Sequence, residues 1–184
     1  MIKACYLFIL SILLATNACA SENISSNTPV SKNQWYIGPI VGAISIKQDI
    51  YFAWGLAAEW LRSRRFYLGV SSFSLDKPIK STRDSMSSIG VYAGMRFNTS
   101  YNFQYSLDIM SGSGDIRSYY ERDNSPDSFT FVQPRFNLNF PLNPISELFT
   151  SLSYRHVSDS THAAINNADL SGINISLTLV FGKF

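Results

Sequence analysis

The strongest constraint on the fold is a two-residue alternation of apolar and polar side chains that recurs along the chain. In the stretch 89–97, Ile89, Val91, Ala93, Met95 and Phe97 alternate with glycine, tyrosine and arginine. Because successive side chains of a β-strand point to opposite faces, this pattern predicts a strand with one apolar face. Eight such segments occur, at 35–46, 51–62, 65–76, 88–98, 101–113, 128–140, 147–159 and 172–184.

The length of these segments indicates where the strands lie. A strand needs about 9 to 11 residues to cross a bilayer at the tilt of a barrel, whereas strands of globular proteins usually have about 5 or 6. All eight segments reach the longer length, and no helical pattern separates them. The sequence therefore predicts an all-β fold, an eight-stranded antiparallel transmembrane β-barrel, which is the smallest common barrel of outer membranes.

The connections agree with a barrel of this type. Outer-membrane barrels have short periplasmic turns and longer outer loops. Connections 63–64, 99–100 and 141–146 are short, connections 77–87, 114–127 and 160–171 are long and polar, and 47–50 is a short exception. This places the final Phe184 on the periplasmic side. Phe184 is out of phase with the apolar face of the last segment, and a bulge near its end would reconcile the two.

The N-terminal residues have the pattern of an export signal. Lys3 precedes an apolar run, and Ala18 and Ala20 have the spacing favoured at signal-peptide cleavage sites. We expect a signal peptide over 1–20, a flexible polar leader over 21–33 and the barrel over 34–184, located in the bacterial outer membrane. Both cysteines, Cys5 and Cys19, belong to the signal, so the mature protein has no disulfide and no thiolate chemistry.

Charged residues on the polar faces of the strands predict a plugged interior. An eight-stranded barrel is just wide enough inside to be filled by side chains, and buried charges need partners. We therefore expect ion pairs in the lumen, and a pore is disfavoured. The inward charges are Glu59, Arg96, Asp108, Arg135 and Arg155.

The composition argues against several classes of function. A net charge of +2 gives no electrostatic basis for binding nucleic acid. Only two histidines are present, with no recognisable metal-ligand spacing, and no glycine-rich phosphate motif occurs. We expect neither a metal nor another cofactor.

The seventh segment carries both a histidine and a serine on one face. Leu152, Tyr154, His156 and Ser158 alternate with inward residues, so His156 and Ser158 should face lipid near the outer end of the barrel. An imidazole within reach of a hydroxyl can activate it as a nucleophile. The alternative is that both residues belong to a wetted polar boundary and have no catalytic role.

The C-terminal quarter resembles the outer-membrane lipid A 3-O-deacylase family, whose eight-stranded barrels carry a His-x-Ser-Asn motif on strand seven. This chain reads HVSD at His156–Asp159, followed by INNADLSGINI at Ile165–Ile175. The resemblance implies Ser158 as nucleophile and His156 as general base. The reaction would be hydrolysis of the ester-linked acyl chain at the 3-position of lipid A, with lipopolysaccharide and outer-membrane lipids as partners. The oligomeric state is open, and a homodimer is one alternative.

Two positions depart from the family pattern. Asp159 stands where the motif has asparagine, and a carboxylate there would repel a developing oxyanion. Asn174 stands where the family has its acidic partner; an amide could orient His156 but would not stabilise its cation by charge. The local alternation also places Asn174 on the polar side of its strand, not on the apolar side with His156. Asp159 or Asp169 could replace the missing acid. His162, in the following loop, could be the working histidine, although we expect it to be solvated.

A second reading of the chain needs no catalysis. The protein would then be an adhesin or a structural envelope protein that acts through its outer loops. The loop Ser113–Asp127 carries adjacent tyrosines, Tyr119 and Tyr120, which could contact a partner. The two readings differ in geometry, because only an esterase needs His156 and Ser158 within hydrogen-bond reach.

Overall fold

The computed structural model describes residues 33–62, 65–79, 83–98, 103–117, 127–143, 145–162 and 165–182. The expected signal peptide, nearly all of the expected leader and Phe184 lie outside these ranges. Within them, no helix is long and apolar enough to cross a membrane.

Eight antiparallel strands form a closed barrel, as the alternation predicts. Each strand pairs with the next in the chain, and the last pairs with the first. One helical turn, α1 (Asn167–Leu170), precedes the last strand and is too short for any sequence pattern to predict. The strands are β1 (Asn33–Ile46), β2 (Asp49–Arg62), β3 (Phe66–Leu75), β4 (Ser85–Asn98), β5 (Gln104–Arg117), β6 (Asp127–Asn143), β7 (Ser146–Ser158) and β8 (Gly172–Phe181).

The outer wall of the barrel is a nearly continuous apolar surface. Large side chains such as Trp54, Leu68, Ile109 and Phe136 are each more than two-fifths exposed, although they sit on regular paired strands. Water would disfavour so large an exposed apolar area, whereas lipid accommodates it. The predicted eight-stranded transmembrane barrel is therefore confirmed.

The lumen is filled by side chains and holds ion pairs. Arg96 contacts the carboxylates of both Glu59 and Glu147, and Arg135 contacts Asp108. The predicted pairing is thus confirmed for four of the five inward charges. It is wrong for Arg155, which pairs with no carboxylate among the described residues.

One end of the barrel carries the connections that the sequence predicts to be outer loops, and we call it the outer end. There β1 and β2 join through Lys47 and Gln48, whose φ angles of 50° and 66° match a tight type I′ turn. The backbone N–H of Lys47 donates to the Asp169 carbonyl at 2.8 Å, which fastens α1 to this turn. Apolar residues close the lumen at this end: Ile46, Ile79, Ile116, Phe129, Ile165 and Leu170.

The register of β8 is continuous over its whole length. It pairs with β7 from Ser146–Phe181 to Arg155–Gly172 without a shift. A bulge within these residues is therefore absent, and the expected change of phase toward Phe184 falls outside the described residues. The pairing shows a register shift elsewhere, between Pro141 and Asn143 of β6.

Candidate functional site

Strand β7 directs the predicted site residues to the two sides of the wall in turn. Leu152, Tyr154 and His156 are exposed on the outer surface, whereas Arg155 and Val157 are buried in the lumen. His156 lies opposite Val132 of β6, and three residues further toward the inner end Ser153 lies opposite Arg135. The predicted outward position of His156 near the outer end of β7 is confirmed.

The hydroxyl of Ser158 is held by a neighbouring strand and not by the histidine. Its Oγ lies 2.9 Å from Oγ1 of Thr130, the residue opposite it on β6. Thr130 Oγ1 also lies 3.3 Å from the Ser158 carbonyl oxygen. The His156 ring makes no hydrogen bond to any described residue. The structure therefore brings Ser158 and His156 to the same end of one strand without linking them as nucleophile and base.

Asp159, the residue that follows β7, has a strained backbone conformation. Its φ of 55° is in the left-handed region, which non-glycine residues adopt rarely, with aspartate among the more frequent exceptions. Its Oδ2 accepts a hydrogen bond from Thr130 Oγ1 at 3.3 Å. A negative carboxylate therefore lies on the same threonine that contacts Ser158. This carboxylate accepts a hydrogen bond there, but it cannot donate the hydrogen bonds that an oxyanion requires.

Asn174 lies on the other side of the wall. It is buried in the lumen on β8, opposite the inward Ser153, and its Oδ1 has no hydrogen-bond partner. His156 faces outward, so the sheet itself separates the two residues. The structure does not place Asn174 where it could orient His156.

Asp169, the other proposed substitute acid, caps the helical turn α1. Its Oδ2 accepts from the Asn166 N–H at 3.1 Å and its own N–H donates to Asn166 Oδ1 at 2.9 Å, which together cap α1. Its carboxylate also lies 4.0 Å from Lys47 Nζ. These contacts give Asp169 a structural role at the outer end.

His162 is enclosed, contrary to the expectation that it is solvated. Its side chain is 7% exposed, and its Nε2 lies 3.1 Å from Oδ2 of Asp84 and 3.8 Å from Oδ2 of Asp127. Asp84 itself is almost fully buried. Sequence reasoning missed Asp84, because a single acidic residue in a polar connection gives no signal of its spatial partner.

An apolar groove runs along the outer wall below His156. It has a volume of about 780 Å³ and spans the faces of β4 to β8. Near β7 its lining includes Pro134, Phe136, Leu152, Tyr154 and Ile173. Its size and chemistry suit hydrocarbon chains, which this surface would meet in any bilayer.

Neither carboxylates nor histidines gather into a metal-binding group. In the parts of the chain that the structure describes, no cluster of three or more histidine, cysteine, aspartate or glutamate side chains could hold a metal ion. The His162 contacts are therefore best treated as a histidine–carboxylate interaction.

The fold defines a class of protein, the eight-stranded transmembrane β-barrels. The barrel is similar to Neisserial surface protein A, with a TM-score of 0.64 and 14% identity over 84% of this chain and 98% of that one. It is also similar to the N-terminal β-barrel domain of Pseudomonas aeruginosa OprF, with a TM-score of 0.61 and 10% identity over 82% and 98% of the two chains.

A third similar structure is Ail, the attachment invasion locus protein of Yersinia pestis. Its TM-score is 0.50, with 13% identity over 82% of this chain and 97% of Ail. No protein-family model and no curated protein matches the sequence. At these identities the similarity establishes the eight-stranded barrel fold and does not assign an activity.

Proposed function

We propose that this protein is a non-catalytic barrel of the bacterial outer membrane that acts as an adhesin through its outer end. The observation that carries this proposal is an ordered platform of polar contacts at the outer end. The platform consists of Asp84, Asp127, Ser128, Thr161 and His162. Their contacts join the β3–β4, β5–β6 and β7–β8 connections. The lumen is plugged and the outer wall faces lipid. The outer end is therefore the surface at which this barrel can bind a partner from outside the cell.

The platform fixes the point at which the connection between β5 and β6 re-enters the barrel. Asp127 is the first residue of β6, and its Oδ1 accepts from Thr161 Oγ1 at 3.2 Å. Thr161 and Ser128 exchange two further hydrogen bonds, in which the Thr161 N–H donates to the Ser128 carbonyl and Ser128 N–H donates to Thr161 Oγ1, both at 3.0 Å. Anchoring a recognition loop at its base reduces the conformational entropy that the loop loses on binding, and so reduces the free-energy cost of binding.

Tyr119 and Tyr120 of that connection, which lie outside the described residues, are the side chains we expect to contact a partner. Cells that express the protein should adhere to epithelial monolayers, and the Tyr119→Ser, Tyr120→Ser double variant should adhere about 10-fold less, since buried tyrosines at interfaces often contribute above 1 kcal/mol each. Adherence is measured by counting bound cells at equal surface expression.

The control for this experiment is Tyr154→Ser, which removes an exposed tyrosine from the lipid-facing wall of β7. It should leave adherence unchanged. Equal adherence of the double variant and the parent, or no gain in adherence on expression of the parent, would contradict the proposal.

A second candidate function is supported by a different observation. His156 and Ser158 face outward at the outer end of β7, directly above the apolar groove. A lipid bound with its acyl chains in that groove would bring its headgroup region to these residues. This arrangement favours an esterase that acts on outer-leaflet lipid A, with Ser158 as nucleophile and His156 as base.

Three structural features make the esterase the weaker of the two candidates. Ser158 is hydrogen-bonded to Thr130, Asp159 places a carboxylate on the same threonine, and Asn174 faces the lumen. An active enzyme would need the Ser158 hydroxyl to leave Thr130 and turn toward His156. It would then remove an acyl chain in a reaction that depends on Ser158, which the non-catalytic barrel would not do.

A further inference from the structure

Arg155 differs from the other arginines of the lumen. Its side chain points inward from β7, and the residue is only 2% exposed. Arg96 and Arg135 contact carboxylates, but Arg155 contacts none among the described residues. Its Nε–H donates to the Leu170 carbonyl at 3.0 Å, and its Nη2 is buried with no hydrogen-bond partner.

The described residues around Arg155 offer neutral donors and acceptors but no negative charge. Toward the outer end, its guanidinium is bonded to α1, whose Leu170 is fully buried in the apolar closure of the barrel. On its inner side lies a small cavity of about 10 Å³. The polar side chains that line this cavity with Arg155 are Ser88, Gln133, Asn174 and Ser176.

A lone guanidinium in such a site is unfavourable without a counter-charge. Removing a charge from water costs several kcal/mol unless it is paired and hydrogen-bonded. A water molecule could fill the hydrogen-bonding capacity of Nη2, but it would not neutralise the charge. A small anion would do both.

We propose that Arg155 holds a single halide-sized anion, chloride under ordinary conditions, in this cavity. The cavity has room for about one water-sized particle. Chloride has a radius only a few tenths of an ångström larger than that of water, so small side-chain shifts admit it, whereas sulfate, phosphate and carboxylic acids do not fit. The hydroxyls of Ser88 and Ser176 supply further donors. Asn174 also lines the cavity, and a half-turn of its amide exchanges the unpartnered Oδ1 for the N–H donors of Nδ2.

Halide-dependent stability of the full-length folded protein tests this site. The protein is refolded in detergent at constant ionic strength while sodium gluconate, whose anion is too large for the cavity, is replaced stepwise by sodium chloride or bromide. The urea midpoint of the parent should rise with halide and then saturate, as expected for a ligand that binds only the folded state. In Arg155→Met the midpoint should not respond to halide.

The matched control is Arg117→Met, which removes an exposed arginine from the outer end of β5 and should keep the halide response of the parent. A parent midpoint that does not change with halide, or an equal response in Arg155→Met, would overturn the proposal.

A crystal of the parent soaked in bromide gives an independent result that does not require the variant to fold. An anomalous peak within hydrogen-bond distance of the Arg155 guanidinium would support the anion site. An ordered Arg155 with no such peak would overturn it. The site is independent of the proposed adhesive function, because it lies inside the barrel.

Discussion

Arg96→Met should lower the free energy of unfolding by about 3 to 5 kcal/mol, the usual cost of removing one partner from a buried ion pair. Among the described residues, Arg96 is the one cation that contacts both acids: its Nη1 lies 2.9 Å from Oε2 of Glu147, and its Nη2 contacts Glu59. Its guanidinium also lies 5.4 Å from the ring centre of Tyr36 and 5.2 Å from that of Phe149. The change would leave two acids close together in the lumen without a cation between them.

Urea titration in detergent micelles, followed by tryptophan fluorescence, measures this effect. Arg117→Met serves as the control, because Arg117 is exposed and its loss should change stability little. Adding Glu59→Gln to Arg96→Met should recover part of the lost stability, since one of the stranded charges is removed. Equal stability of Arg96→Met and Arg117→Met would show that the lumen ion pairs do not hold the barrel together.

Gly55→Val should destabilise the barrel by about 3 kcal/mol or prevent its closure, because overpacking against a fixed neighbour is costly. Gly55 lies on β2 and pairs with Phe73 of β3. A Cβ at this position would overlap the carbonyl oxygen of Ser72. This obstacle is backbone, so a rotamer change cannot relieve it, and the two strands would have to separate.

The fraction of protein that migrates as a folded barrel in unheated gel samples measures the effect of Gly55→Val. Ala93→Val is the matched control, because Ala93 is exposed on the lipid-facing side of β4 and its side chain extends away from the barrel. We expect the control to fold as well as the parent. A Gly55→Val protein that folded in equal yield would refute the close approach of β2 and β3 at this residue.

The barrel could be predicted from the sequence because its signal is local. In β7 and β8 the alternation correctly directs Tyr154 and His156 outward and Arg155 and Asn174 inward, since the side-chain period of a strand is two wherever it pairs. The same rule indicates that Asn174 and His156 lie on opposite sides. The family pattern alone would have grouped them.

The contacts of the site could not be predicted, because they join residues that are distant in sequence. Thr130 and Ser158 meet only through the register of β6 and β7. His162 and Asp84 meet across the outer end from two different connections. The closed barrel also decides which inward arginine contacts an acid. The alternation shows only that Arg155, like Arg96 and Arg135, points inward, so it cannot show that Arg155 lacks an acidic partner among the described residues.

The most direct test of the proposed non-catalytic role is mass spectrometry of lipid A from cells that express the parent, Ser158→Ala or no barrel at all. The parent must first be shown to be folded in the outer membrane. Our account predicts the same acylation pattern in all three samples, because the Ser158 hydroxyl is hydrogen-bonded to Thr130 and no histidine among the described residues contacts it. Loss of one hydroxyacyl chain with the parent, absent with Ser158→Ala, would contradict it and establish the esterase.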